Sequence, residues 1–183
     1  RRWADRGIPV GRIALNASAA EFRSPGYAER LLAQIVARQI DPALIEVEIT
    51  ETALLSDTAD TVLSELNQLR AAGLTVALDD FGTGFSSLSH LRNWPVDAIK
   101  IDRSFVQGFG RSNGDEAIVQ AIIDLARATG LSTTAEGVET VSQCDYLREL
   151  GCDQLQGFLL SRPVPKVRLQ ELLDEEVLSR RAS

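Results

Sequence analysis

Methionine is absent from the 183-residue sequence, histidine occurs once, cysteine twice, and aromatic side chains make up only 5%. Each scarcity removes a class of chemistry. A zinc centre built on imidazole and thiolate lacks its ligands. Cys144 and Cys152 stand in no zinc or redox spacing and are too few for a secreted disulfide framework, so both read as small buried hydrophobes. His90 follows Ser86-Ser87-Leu88-Ser89 in a short helical stretch and reads as structural or solvated. No apolar run approaches 18 residues and no secretory signal is visible. Positive charge is short as well: 19 basic against 26 acidic residues give a net charge of -7. That balance argues against a nucleic-acid polymer as the main partner, because such binding rests on Lys and Arg neutralising phosphates. An anionic substrate would need help from metal ions. The chain opens on Arg1-Arg2-Trp3-Ala4-Asp5-Arg6-Gly7, which reads as a helix tail with its glycine stop, the pattern expected of a piece of something longer. At the other end Arg180-Arg181 reads as a solvated tail.

What the sequence does contain is a repeating unit of strand, helix, glycine and strand. Arg12 to Asn16 alternates with period two, and Ile45 to Thr50 does so most cleanly, with Ile45, Val47 and Ile49 on one side and three polar groups on the other. Leu74 to Asp80, Asp97 to Asp102, Leu131 to Glu136 and Cys152 to Gln156 read as four further strands. Between them, Ser24-Pro25 predicts a helix start, with Leu31, Leu32, Ile35, Val36 and Ile40 at helical spacing. Helices carrying Val62, Leu66 and Leu69, then Ile118, Ile122 and Leu125, then Val141, Cys144 and Leu147 stop at Gly73, Gly130 and Gly151. A last helix includes Leu169, Leu172 and Leu173.

Repeated βα units with right-handed crossovers imply a parallel sheet, either open and doubly wound or closed into a barrel. The polar residues decide. If the strand aliphatics face the helices, Asn16, Glu48, Asp79, Lys100, Glu136 and Gln156 face the other way, each near the C-terminal end of its strand. An open sheet buries both faces, where such a row is costly. A barrel gathers it at its mouth, where (β/α)₈ enzymes place their catalytic groups. Six units against the roughly 250 residues of a whole barrel predict an incomplete α/β barrel lacking about two N-terminal strands.

Glu48, Asp79, Asp80, Glu136 and the Asn16 amide form an all-oxygen donor set suited to Mg²⁺, Mn²⁺ or Ca²⁺. Adjacent Asp79 and Asp80 repel unless a cation lies between them, and each can reach a different ion. Two metals suit in-line phosphoryl displacement, with Lys100 adding a point positive charge. Any single strand-end acid is more often a loop cap or half of a salt bridge. Six polar groups at equivalent positions favour function. Glu51, Asp102 and Glu139 read either as supports for a loop or ligand or as solvated groups. Phe81-Gly82-Thr83-Gly84-Phe85-Ser86-Ser87 lacks the third glycine of a dinucleotide fingerprint and the GK[ST] of a P-loop, and a lid closing over the metals accounts for it as well as a phosphate cradle does.

Taken together, Asn16-Ala17-Ser18, Glu48-Ile49-Thr50-Glu51, Asp79-Asp80-Phe81-Gly82-Thr83-Gly84, Lys100-Ile101-Asp102, Ala135-Glu136-Gly137-Val138-Glu139 and Gln156-Gly157 resemble, in order and spacing, the EAL domain family of bacterial cyclic di-GMP phosphodiesterases. The resemblance covers essentially all of residues 1–183, read as one domain that makes up the C-terminal three quarters of a TIM-like (β/α)₈ barrel. It implies hydrolysis of cyclic di-GMP to linear pGpG with two Mg²⁺ or Mn²⁺ ions, Ca²⁺ being inhibitory. It further implies that Asn16, Glu48, Asp79 and Asp80 are metal ligands and that Glu136 is the ligand or general base beside the hydrolytic water. Lys100 would orient that water, Glu51 would anchor the lid from Asp80 to Ser87, and Gln156 would lie near the water and phosphate. A homodimer, regulatory or sensor domains in the parent protein, and a cytoplasmic location with membrane attachment of the parent left open complete the expectation. The Glu-Ala-Leu strand that names the family is expected before Arg1, and one metal ligand with it.

Two other readings stand beside this one. A non-catalytic cyclic di-GMP receptor would hold the nucleotide without cutting it. An enolase-type lyase also pairs a lysine with strand-end carboxylates on Mg²⁺, but explains neither the paired aspartates nor the lid.

Overall fold

Alternation of apolar and polar residues becomes six parallel strands, joined in the order β1-β2-β3-β4-β5-β6 into one curled sheet, in a computed structural model describing residues 3, 8, 11–22, 24, 26–55, 59–83, 91–110 and 113–181. The strands are β1 (Ile13–Asn16), β2 (Ile45–Thr50), β3 (Thr75–Phe81), β4 (Ala98–Ile101), β5 (Ser132–Ala135) and β6 (Gln154–Leu155). The helices are α1 (Ala19–Phe22), α2 (Tyr27–Ala37), α3 (Glu51–Leu54), α4 (Ala59–Ala71), α5 (Arg103–Gln107), α6 (Asn113–Thr129), α7 (Val141–Glu149) and α8 (Lys166–Arg181). Every neighbouring strand pair is parallel, so each connection crosses back over the sheet, and the result is the wall of an incomplete barrel.

The hydrophobic core lies between this wall and the helices. Val47, Ile49, Val76, Leu78, Ile99 and Ile101 from the strands meet Val62, Leu66 and Leu69 of α4 and Ile123 of α6, all essentially inaccessible. Burying side chains of this size contributes about 1.5–3 kcal/mol each. α4, α6 and α7 end at Gly73, Gly130 and Gly151 with φ of 95°, 73° and 81°, and the chain then runs straight into a strand.

Four sequence expectations are corrected. The helix expected from Ser24-Pro25 begins at Tyr27, and its preceding residue Gly26 sits in a left-handed conformation with no side-chain cap of its own. A partner distant in sequence replaces the cap: the buried Glu65 carboxylate of α4 accepts from Gly26 N at 3.0 Å and Ala28 N at 2.6 Å. Arg180-Arg181 form the last turn of α8 rather than a tail. Ile13 and Leu15 of β1 are 43% and 37% exposed instead of covered, because β1 pairs with β2 alone among the described residues and lies at the sheet's edge. Both cysteines are free, but only Cys144 is buried, Cys152 being partly accessible. The helix tail expected over Arg1 to Gly7 is described only at Trp3, while His90 and the lid residues Gly84 to Ser87 lie outside the described residues.

Candidate active site

Parallel strands bring their C-terminal ends to one rim, and the register aligns the polar row there. Asn16 lies beside Glu48, Thr50 beside Asp79, and Lys100 beside Thr134, two residues before Glu136. At the centre stands Lys100, its side chain 5% exposed, with Nζ 2.7 Å from Glu48 Oε1, 3.1 Å from Asp79 Oδ1 and 2.5 Å from Glu136 Oε1. One ammonium on β4 thus ties together the ends of three other strands, β2, β3 and β5. Burial by itself would push the Lys100 amine down, but hydrogen bonds to Glu136 and Glu48 and the charges of Glu136 and Asp79 outweigh it and hold the group above its ordinary range. It is charged at every physiological pH.

Asp79 and Asp80 are neighbours in a strand, where side chains alternate, so a regular strand would send Asp80 toward the helices. A bulge prevents this. Leu78 pairs with Ile99 while Phe81 pairs with Ile101, so three steps along β3 are matched by two along β4, and Asp80 takes the extra place with φ of 53°. Carboxylate oxygens of Asp79, Asp80 and Glu136 then lie within 4.8 Å of one another. Burial and the nearby charges of Asp79, Asp102 and Glu136 raise Asp80 above the usual carboxylate range. For Asp102, burial acts upward but is outweighed by hydrogen bonds from Ser104 and by the one shared with Asp80, so this carboxyl is lowered. Asp102 also caps α5, accepting from Ser104 N at 3.0 Å.

The donor set fits divalent cations. All three clustered groups offer hard oxygen ligands, and Asp79 Oδ1 is buried with no properly oriented hydrogen bond even though Lys100 Nζ is 3.1 Å away. Three carboxylates, Glu48, Asp79 and Glu136, share one ammonium, and Asp80 stands beside two of them, which leaves negative charge for a cation to balance. Glu48 shares Lys100 with Asp79 and Glu136 but is not a member of the tight trio.

The remaining expected residues are placed less centrally. Asn16 is exposed at the end of the edge strand β1, beside Glu48 in register. Glu51 is buried at the start of α3 and accepts from Gly82 N at 3.1 Å, at the root of the expected lid. Gln156 is exposed, and its backbone joins β5 to the loop after it, with Gln156 N donating to Ala135 O at 2.8 Å and Gln156 O accepting from Val138 N at 3.0 Å. Glycine is required next to it: a Cβ on Gly157 would stand 2.2 Å from Val138 O. Glu139 is exposed on that loop, and its N–H is held by Gln143 of α7, which forms a capping box with Thr140.

Sequence reasoning missed Phe105, whose ring lies against Gly82, and Arg103, which lies against Gly137. Both belong to α5, a helix too short to leave a periodic signal. The Asp102-x-Ser104 pattern of an N-cap was its one visible mark.

The EAL domain family model matches residues 1–163. The bifunctional diguanylate cyclase/cyclic di-GMP phosphodiesterase MucR of Pseudomonas aeruginosa is 41% identical over 169 residues, 92% of this chain and 24% of the relative. A solved structure of the PaMucR phosphodiesterase in complex with c-di-GMP superposes with a TM-score of 0.87 at 41% identity, covering 92% of this chain and 68% of that one. The manganese/cy-diGMP complex of Klebsiella pneumoniae BlrP1 gives a TM-score of 0.79 at 31% identity, covering 88% and 41%, and its calcium counterpart gives the same values. The chain spans about a quarter of the length of the curated relatives it matches. With its fold, its rim of strand-end carboxylates and a family match across most of its length in agreement, the chain belongs to the EAL domain family.

Proposed function

We propose that this chain is the catalytic part of a cyclic di-GMP phosphodiesterase yielding linear pGpG. The observation that carries this reading is Lys100 held against Glu48, Asp79 and Glu136, with Asp80 turned into the same cluster by the β3 bulge. Asn16, Glu48, Asp79, Asp80 and Glu136 would hold two divalent cations, Mg²⁺ or Mn²⁺, with Ca²⁺ inhibitory. Bound there, such ions neutralise charge on the phosphodiester and favour ionisation of water. Glu136 takes a proton from the water that adds to phosphorus. The bond from phosphorus to the 3′ oxygen breaks, that oxygen takes a proton from solvent water, and the phosphate stays on the 5′ side. Lys100 orients the water and, by its charge, stabilises the negative phosphorane oxygens. Glu51 anchors the lid through Gly82, Asp102 and Glu139 support the rim, and Gln156 lies on the phosphate side. Relatives bound to c-di-GMP, one with manganese and one with calcium, support both substrate and cation class. We further propose a homodimer, regulatory domains in the parent protein, and a cytoplasmic setting.

The test is to incubate the full-length protein with cyclic di-GMP and Mn²⁺ and follow pGpG by chromatography. Wild type is expected to release pGpG, while Glu136→Ala and Asp79→Ala each lose about 10²-fold or more. No pGpG from wild type, or full activity in both variants, overturns the reading. Binding of the nucleotide without cleavage would assign a receptor instead.

A further inference from the structure

The helix α5 touches both halves of the carboxylate cluster while supplying none of its expected ligands. At its N-terminus Asp102, the cap, stands close enough to Asp80 for the two carboxyls to act on each other. One residue on, Arg103 is packed against Gly137 so closely that a Cβ added to the glycine would stand 2.6 Å from Arg103 Cβ, and Gly137 is the residue after Glu136. Two residues further, the Phe105 ring lies on Gly82, where an added Cβ would be 3.0 Å from Phe105 Cε2 and 3.2 Å from Ile122 Cδ1 of α6. Gly82 N also donates to Glu51 Oε1 at 3.1 Å.

The helix is also braced from behind. Phe105 lines a small cavity with Phe109, Val119, Tyr146 and Leu147. Phe109 stacks on Tyr146 at 4.5 Å between ring centroids, and Gln143 of α7 donates to Val106 O at 3.1 Å. The stack and the hydrogen bond hold α5 in place, so the Phe105 ring set against Gly82 can push on the β3 end.

We propose that α5 is a wedge that fixes the spacing between the Asp79–Asp80 end of β3 and Glu136, with Phe105 as the positioning residue for the paired aspartates. This rests on the two-cation reading above and adds the device that sets the separation of its ligands. Phe105 itself touches neither substrate nor ion. It acts through Gly82, two residues from Asp80, by the ordering that groups beyond the ligands impose on a metal site.

The experiment titrates the full-length protein with Mn²⁺ and counts free ion by electron paramagnetic resonance, for wild type, Phe105→Ala, Phe105→Leu and Asp79→Ala. Circular dichroism melts and steady-state kinetics accompany each. Phe105→Ala is expected to weaken Mn²⁺ binding about tenfold or more, the size of effect that groups supporting ligands have, with Phe105→Leu in between. Excess Mn²⁺ should restore kcat in both, and KM for cyclic di-GMP should stay unchanged. If Asp79→Ala loses Mn²⁺ while both Phe105 variants bind as wild type does, the wedge is overturned and the cation site stands. If Asp79→Ala binds Mn²⁺ like wild type, the cation reading fails and the wedge with it. Should Phe105→Ala not fold, Phe105→Leu decides by the same titration, an unchanged curve overturning the proposal.

Discussion

Lys100 shows how much one side chain decides at this rim. Its ammonium is buried among three carboxylates, and removing one partner of such a set leaves uncompensated charge in a poorly solvated place. Lys100→Met is therefore expected to destabilise the ion-free protein by about 3–5 kcal/mol, read from urea midpoints in a chelator, with Mg²⁺ recovering part of the loss. The folded amine lies above its unfolded value, so its contribution is fully present below the ordinary 10.5 and fades only as pH climbs through the folded value. Melting curves between about pH 6 and 9 should show no step from this group. Asp80 follows the same sign in a lower pH range. Its raised carboxyl binds a proton more tightly in the folded chain, so its contribution is present below the ordinary 3.8 and is lost as pH rises through the folded value. Once ionised, Asp80 weakens the fold, and a cation held there on the proposed reading would offset this. Asp80→Asn is expected to raise the melting temperature in chelator at about pH 7 and to abolish the rise that Mn²⁺ gives wild type. A lower melting temperature for the variant would contradict this.

Among the elements, the joint between α2 and α4 is the clearest case of a long-range partner replacing a local signal. Glu65 serves as the cap that Gly26 cannot supply, and its loss leaves two amide groups with little access to water. Glu65→Ala should cost about 1–3 kcal/mol, seen as a lower urea midpoint at an unchanged slope. That contact was not legible in the sequence, since nothing local links positions 26 and 65. The strands were legible because alternation survives wherever one face is buried, as Ile45, Val47 and Ile49 illustrate. Three short helices after β1, β2 and β4 were not, because four or five residues make too little of a period. At the site, the polar row could be read by counting positions along each strand. The turning of Asp80 into it could not, because a bulge appears only once β3 and β4 are paired.

On the scale of the whole molecule, the sheet ends in β1, an edge strand with Ile13 and Leu15 accessible and pairing to β2 alone among the described residues. Such an edge is a template for another strand. The chain expressed by itself is expected to self-associate with rising concentration, measured by light scattering, and Leu15→Lys is expected to suppress that association while leaving the circular dichroism spectrum unchanged. Association that ignores Leu15→Lys would place the contact elsewhere. The same frame explains how distant residues converge: parallel connections return every strand in one direction, so any polar side chain at a C-terminal end joins a common rim.

An ammonium group already standing among the acids has a consequence for life with scarce ions. Much of their repulsion is quenched by a counter-charge that the polypeptide carries itself, so on the two-cation reading proposed above, starvation for the ion should silence the chemistry while the scaffold keeps its shape. Replenishment would then restart turnover at once, with no need to refold.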